Sequence, residues 1–418
     1  MNELVDPWAR MALADFEQLA SIHGTPFFLY DADTIRARVG ALRQAFSGAV
    51  GVYYAVKANP NLGLLRALAS DVDGLDISSA GELDQARAAG FEPARLSFAG
   101  PAKTSLELRA AIACGVGSIS VESVRELAAC ARAAGELGIA AHVALRVNPL
   151  RANTAYGLKM GGKATQFGID EESLPECLAL LRAHGRVLDF VGLHVYAGSQ
   201  GFDARAVADG ILDTLRIATD IETAGFACRA INLGGGFGVS HSSEGKTLDV
   251  RELAERVTPE LQRLSAASPR SRRIYFELGR YLAADAGIYV SRVISTKSSR
   301  EKEFAVVDGG LHHHLAAAGT FGAALRSNFD LCNLSRPNRP TMRCHVAGPS
   351  CNPTDLLGVD VELARPEIGD LIGVLRSGSY GLTASPVLFL GRGTPAEFVR
   401  DRGNIAVARR PRSMLDFN

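Results

Sequence analysis

The stretch "YYAVKANPN" (Tyr53 to Asn61) places one cation, Lys57, at the end of an apolar run that Pro60 closes. A lysine held against apolar walls is poorly solvated as an ammonium, which lowers its pKa and frees the amine to attack a carbonyl. The same placement suits a lysine that merely reaches solvent along its alkyl stem. A second stretch, "NLGGGFG" (Asn232 to Gly238), sets bare backbone N–H groups after a strand-like run, where they can receive a phosphate; glycine turns serve tight packing equally. "GLHVYAGSQ" carries His194, able to stack on a planar ring, and Ser199, able to donate to phosphate, although a histidine beside an apolar run is otherwise a core residue. "FELGR" offers Glu277 for a protonated ring nitrogen and Arg280 for a phosphate, or else a surface ion pair.

These residues share a position: each lies at the C-terminal end of a β-rich run. From about residue 50 such runs alternate with helical patterns eight times: "GVYYAV", "GLDIS", "RLSFAG", "GSISVE", "AHVALRV", "DFVGLHVY", "AINLGG" and "IYFEL". Nearly continuous apolar strands alternating with helices predict a parallel sheet covered by helices. Eight units over residues 46–283 predict an α/β fold of the (β/α)8 TIM-like type, whose strand ends face the active site. An open doubly wound sheet would need its glycine-rich turn near the start, and here that turn is late. The strand ends in order are Lys57, Ser78, Gly100, Glu122, Arg146, His194, Gly234 to Gly238, and Glu277 with Arg280. Residues 284–418 change texture to short β-like runs broken by Gly, Pro and Asp, predicting a C-terminal all-β domain of sandwich or Greek-key type. Residues 1–45 hold a strand and a helix, "TPFFLYDADTIRARV", able to pack on either domain.

Composition narrows the partners. Lys+Arg and Asp+Glu are both 45, which gives no electrostatic footprint for nucleic acid. The seven cysteines lack CxxC spacing, which argues against a disulfide framework and a structural zinc site and for a reducing, cytoplasmic setting. The acidic N-terminus is unlike a signal peptide, and no apolar run reaches membrane-spanning length. His312-His313-His314 invites a metal reading, which is set aside because adjacent strand residues point to opposite faces.

Taken together, "YYAVKANPN", "SSAGEL", "FGI", "HVYAGSQ", "GGGFG", "ELGR", "VDGG", "GPSCNPTD" and "GSYG" resemble, in order and spacing, the motifs of the barrel-type pyridoxal-phosphate decarboxylases. This family of diaminopimelate, ornithine and arginine decarboxylases has the alanine-racemase-like fold. The resemblance covers nearly the whole chain and implies pyridoxal 5'-phosphate as cofactor. It implies Lys57 as covalent anchor and His194 against the pyridine ring. Glu277 would hold the ring-nitrogen proton, and Ser199, Gly235, Gly236, Gly238, Arg280 and Tyr380 the phosphate. Arg146 joins the cofactor-binding set. Cys351 would reach the site from the second subunit of a homodimer with shared active sites and return a proton to Cα once CO2 has left.

Two departures bear on substrate. Diaminopimelate enzymes carry Cys-Glu-Ser where this chain has Cys351-Asn352-Pro353, and their distal-carboxylate arginine stretch is replaced by "LHHHLAAAGTFG", with Arg326 downstream. Asp308, Arg326, Asn352 and Asp355 are the candidate substrate contacts. "VDGGLHHHL" and "GLTASPVLFLG" look like the biosynthetic-cluster branch, which includes glutamyl-carrier-protein decarboxylases and exosortase-associated members. The expectation is α-decarboxylation of an L-amino acid or conjugate, carrier-tethered or siderophore-type, in secondary metabolism. The alternatives are a free diaminopimelate, ornithine or lysine decarboxylase, an amino-acid racemase, and a non-catalytic cofactor-binding or regulatory homologue.

Overall fold

The computed structural model describes residues 8, 11–151, 156–159, 161–266, 272–319 and 327–417. Helix α1 (Leu13–His23), strand β1 (Phe27–Asp31) and helix α2 (Ala32–Ala45) come first. Next are β2 (Gly51–Ala55), α3 (Leu62–Leu68), β3 (Gly74–Ile77), α4 (Ala80–Ala88), β4 (Leu96–Phe98), α5 (Ser105–Cys114), β5 (Ser118–Val121), α6 (Val124–Leu137) and β6 (Ala141–Asn148). Short strands β7 (Tyr156–Lys159) and β8 (Ile169–Asp170) precede α7 (Leu174–Ala183) and β9 (Leu188–His194). The stretch ends with β10 (Gly198–Gly201), α8 (Ala204–Thr223), β11 (Ala230–Asn232), α9 (Val250–Ala266) and β12 (Arg273–Leu278).

Eight of these strands pair in parallel in the order β5-β4-β3-β2-β12-β11-β9-β6, and β5 pairs with β6 to close the ring. This is the expected (β/α)8 barrel, each strand falling on one of the eight apolar runs. Local chemistry sets the alternation. Ser79 and Ser123 accept the N–H of Glu82 and Glu126 at the starts of α4 and α6, and α6 ends at Gly138 with φ 66°. Each serine cap contributes about 1 kcal/mol. The helix after the last strand is only α10 (Arg280–Ala283), and α2 packs between α9 and α3 to complete the outer ring.

The chain after α10 forms β13 (Gly287–Ser299), β14 (Lys302–Val307), β15 (Leu331–Asn333), β16 (Thr341–Ala347), β17 (Leu356–Ala364), β18 (Leu371–Val374), β19 (Ala396–Asp401) and β20 (Asn404–Arg409). With β1 they make a mostly β second domain of order β17-β16-β14-β13-β1-β19-β20, while β18 pairs with β13 and β15. The first half of β13 pairs with β1 and β18, and its second half, past a register shift at Val293/Ser295, with β14. β1 runs parallel to β19. The N-terminal stretch is thus divided: its strand enters the β domain and its helix covers the barrel.

The barrel interior is graded. Its floor is apolar, with Tyr53 and Tyr275 stacked at 4.0 Å against Val191 and Ala230. Its mouth is polar, with Asp76, Ser120, Arg146, His194, Asn232 and Glu277 all buried. The turn after β2 also joins the domains: Tyr380 donates its N–H to the Ala58 carbonyl at 2.7 Å, and Asn59 Nδ2 donates to the Gly378 carbonyl at 3.0 Å. Asn61 Nδ2 donates to Glu397 Oε2 at 3.0 Å. The asparagines of "KANPN" therefore bind the motif "GSYG" and β19.

Candidate active site

A cavity of about 200 Å3 opens at the strand ends, lined among others by Lys57, Tyr196, Ser199, Glu277, Arg280 and Tyr380. β2 and the short turn Val56–Ala58 deliver Lys57, whose side chain is 42% exposed toward it. Its Nζ lies 3.5 Å from Asp76 Oδ2 and 5.7 Å from the Tyr196 ring centroid. Burial draws the Lys57 pKa down, but the carboxylates of Asp76 and Glu277 outweigh it and hold the ammonium above its ordinary value. The lowered pKa expected from the apolar strand is thus reversed, because the deciding charges come from β3 and β12. Burial and the Glu277 charge push the Asp76 carboxyl up in turn, against the pull of Lys57.

Glu277, at the end of β12, accepts from Asn232 Nδ2 at 2.8 Å and lies 3.3 Å from His194 Nε2. Burial alone would raise its pKa; His194, then Lys57 and Arg146, overcome that and bring it to about 2. A buried carboxylate held ionised in this way can keep a proton on a nearby basic nitrogen. Arg146 bonds Glu122 Oε1 at 2.7 Å, and Glu122 also accepts the N–H of Gly100 and Gly168. The guanidinium lies over the rings of Phe167 and Tyr196, at 5.1 and 5.9 Å. Arg146 thus tethers strand-end loops beside the cavity.

The opposite side suits an anion. Burial lowers the pKa of Arg280, whose guanidinium lies 4.7 Å from the Tyr380 ring centroid and has no carboxylate partner among the described residues. The backbone N–H groups of Gly235 and Gly236 likewise have no acceptor among the described residues. Neither position admits a side chain: a Cβ at Gly235 would lie 2.1 Å from the Glu277 carbonyl, and one at Gly236, where φ is 75°, 1.8 Å from the Gly198 carbonyl. Gly238 differs, since it gives its N–H to Gly201 at 2.8 Å and packs on Phe202. Ser199 sits on β10 with its hydroxyl 2.9 Å from that of Tyr196. A desolvated guanidinium, idle N–H groups, an ionised carboxylate and an amine around one cavity fit the phosphate, ring nitrogen and aldehyde of pyridoxal 5'-phosphate. Replacing Arg280 by alanine is expected to weaken cofactor binding about 10- to 100-fold, as read by titrating the apo-protein, because a charge-assisted contact is lost.

The remaining candidates lie elsewhere. Cys351 is exposed on the loop before β17 and does not line the cavity. Asn352 Oδ1 accepts from the N–H and hydroxyl of Thr354, folding that loop on itself. Asp355, 2% exposed, accepts from the N–H of Leu311 at 2.6 Å and of Ser350 at 3.0 Å. Asp308 accepts from the hydroxyl of Thr25 and the N–H of Arg292. Both aspartates therefore hold chain segments together. Arg326 lies outside the described residues. His312 and His313 lie in a turn and His314 just after it, outside any strand, so the argument from alternating strand faces does not apply. His313 Nε2 meets the Gly393 carbonyl at 3.0 Å and His314 Nε2 the Ser377 hydroxyl at 2.9 Å. No group of three or more His, Cys, Asp or Glu among the described residues is arranged to hold a metal.

Sequence reasoning passed over Asp76, because the end of the run "GLDIS" offers Ser78, and Asp76 lies two residues earlier. A charge inside the four-residue apolar strand "GLDI" was the available signal. Tyr196 was visible only as an aromatic within "HVYAGSQ".

Residues 32–284 match the family model described as pyridoxal-dependent decarboxylase, pyridoxal binding domain. The chain is 38% identical to an L-glutamyl-[BtrI acyl-carrier protein] decarboxylase of Niallia circulans, over 95% of this chain and 94% of that protein. It is 31% identical to a diaminopimelate decarboxylase of Helicobacter pylori, over 88% of each. The crystal structure of diaminopimelate decarboxylase from Helicobacter pylori complexed with L-lysine superposes with a TM-score of 0.86 at 28% identity, covering 96% of this chain and 98% of that one. The barrel, the amine at its first strand end and these matches together make this chain a member of the pyridoxal-phosphate-dependent decarboxylases.

Proposed function

We propose that the protein removes the α-carboxylate of an L-amino acid presented as a carrier-protein conjugate, in secondary metabolism. The observation that carries the choice of a tethered substrate is the loop Cys351-Asn352-Pro353. It has no glutamate where diaminopimelate enzymes place one, and the Asn352 carbonyl is already occupied by Thr354. Two facts support it: the 38% relative bears the name of an acyl-carrier-protein decarboxylase, and the cavity, about 200 Å3, is below the roughly 300–1,000 Å3 of usual ligand pockets.

The bound cofactor supplies an electron sink for cleavage at Cα. Glu277 holds the ring-nitrogen proton on which that sink depends. Arg280 and the N–H groups of Gly235 and Gly236 grip the phosphate, and Tyr380 backs Arg280. Lys57 provides the anchoring amine and, when displaced, remains near Asp76 to take and return protons. Cys351, from a second copy of the chain, returns the proton to Cα. The working unit is then a homodimer, an arrangement that sedimentation of the purified protein as a monomer would remove. Among the described residues no helix is long and apolar enough to cross a membrane, and all seven cysteines are free, which supports a cytoplasmic location.

The reading is tested by offering holoenzyme a glutamyl carrier protein, free glutamate and meso-diaminopimelate, and measuring CO2. Release from the carrier conjugate, at least about tenfold faster than from either free amino acid, is expected; each tenfold step needs only about 1.4 kcal/mol of added transition-state binding. Turnover of free diaminopimelate alone, or exchange of enantiomers without CO2, would overturn it.

A further inference from the structure

We infer that Ser120 is a positioning residue, whose hydroxyl sets the imidazole of His194 and through it the charge on Glu277 at the barrel mouth. Ser120 lies on β5 and is 1% exposed, with Oγ 3.0 Å from His194 Nδ1. His194, at the end of β9, is fully buried, and its Nε2 faces Glu277 Oε2 at 3.3 Å on β12. Nε2 makes no hydrogen bond to any described residue. The three side chains thus form one line across the barrel, β5 to β9 to β12. The main chain of Ser120 is clamped as well: Lys103 Nζ, on a side chain 2% exposed, bonds the carbonyls of Ser120 at 2.8 Å and Gly100 at 2.7 Å and pairs with Glu126 at 3.1 Å. No step of the proposed chemistry uses that buried ammonium. Its effect is to fix the strand end that carries Ser120.

The physical argument turns on what a buried imidazole requires. With Nε2 3.3 Å from the Glu277 carboxylate, a proton on Nε2 is favoured by that charge, and the state of Nδ1 then decides whether the ring is neutral or cationic. A serine hydroxyl donates to a bare Nδ1 and accepts from a protonated one, so Ser120 satisfies both forms. Without that oxygen, Nδ1–H of an imidazolium would be buried with no acceptor, which selects against the cation. The remaining titratable groups that face Glu277 are Lys57 after β2, Arg146 on β6, Asp76 on β3 with like sign, and the phenols of Tyr196 and of Tyr275 on β12. His194 is the largest of the charges that offset the burial of Glu277. Selecting against a positive imidazole therefore raises the Glu277 pKa, so that the carboxyl keeps its proton to higher pH.

The inference rests on Glu277 serving the ring nitrogen, so the first measurement is made in the apo-protein. The imidazole nitrogens of 15N-histidine are titrated by NMR in the parent and in Ser120→Ala, with His194 assigned from its own substitution. In Ser120→Ala the His194 ring is expected to lose its proton at a pH lower by about one unit or more, the worth of one charge-assisted hydrogen bond. Ser120→Thr keeps the hydroxyl and is expected to titrate like the parent. Should the alanine protein not fold, Ser120→Cys supplies the same test, with a smaller shift in the same direction. In holoenzyme the acid limb of the kcat profile is expected to move to higher pH in Ser120→Ala and to return in Ser120→Thr. An unchanged His194 titration in folded Ser120→Ala overturns the inference. A parent enzyme that releases no CO2 would instead overturn the proposed function and leave the apo titration standing.

Discussion

Lys57→Ala is expected to abolish turnover, lowering kcat by at least about 10³-fold, because the amine that would anchor the cofactor and move protons has no substitute nearby. Among the described residues lining the cavity, Lys57 alone carries an amine. Borohydride reduction of the parent holoenzyme should attach the cofactor irreversibly to the peptide containing Lys57. The same treatment of Lys57→Ala should leave the protein mass unchanged. The pH dependence of cofactor capture follows from the site's charges. Asp76 and Glu277 hold Lys57 above its ordinary pKa, so the apo-protein at neutral pH presents mainly the ammonium. The rate of cofactor capture should therefore rise with pH throughout the neutral and mildly alkaline range. A variant retaining more than about a tenth of parental kcat, or trapping cofactor elsewhere, would remove Lys57 from the role assigned to it.

Glu277→Gln should retain cofactor and lose catalysis. The amide keeps the shape of the side chain but carries no charge to hold a proton on the ring nitrogen. Removing one preorganised electrostatic group typically costs about 10²–10³ in kcat. Cofactor affinity should change far less, since Arg280 and the glycine turn lie on the phosphate side. The defect should persist across mildly acidic and neutral pH, because the parental carboxyl, with a pKa of about 2, is ionised throughout. Steady-state kcat and a cofactor titration on the same variant test both halves. A kcat within about threefold of the parent would show that the ring nitrogen is not its partner.

Much of this site could be read from the chain. Lys57, His194, Glu277 and the glycines after Asn232 stand at the ends of runs whose apolar continuity marks parallel strands. Parallel barrel strands bring all such ends to one rim. Arg146 and Glu122 were collected by the same rule, but their bond to each other came only with the fold. Asp76 escaped the rule because Ser78 stands at the end of its run, two residues further along. Gly238, which the resemblance implies as a phosphate contact, gives its N–H to Gly201. The asparagines of "KANPN" looked like turn residues, and their partners, Gly378 and Glu397, lie more than 300 positions away.

Strand and helix alternation, caps, and the types of residue at strand ends are properties of short windows, so the sequence by itself determined the barrel and the chemical class of its mouth. The protonation state of that mouth is a sum over charges and burial contributed by β2, β3, β6, β9 and β12, and electrostatic coupling depends on distance in space rather than along the chain. Only the tertiary structure could decide that Lys57 is held as an ammonium, that Glu277 stays ionised, and that Ser120 faces His194 across the barrel.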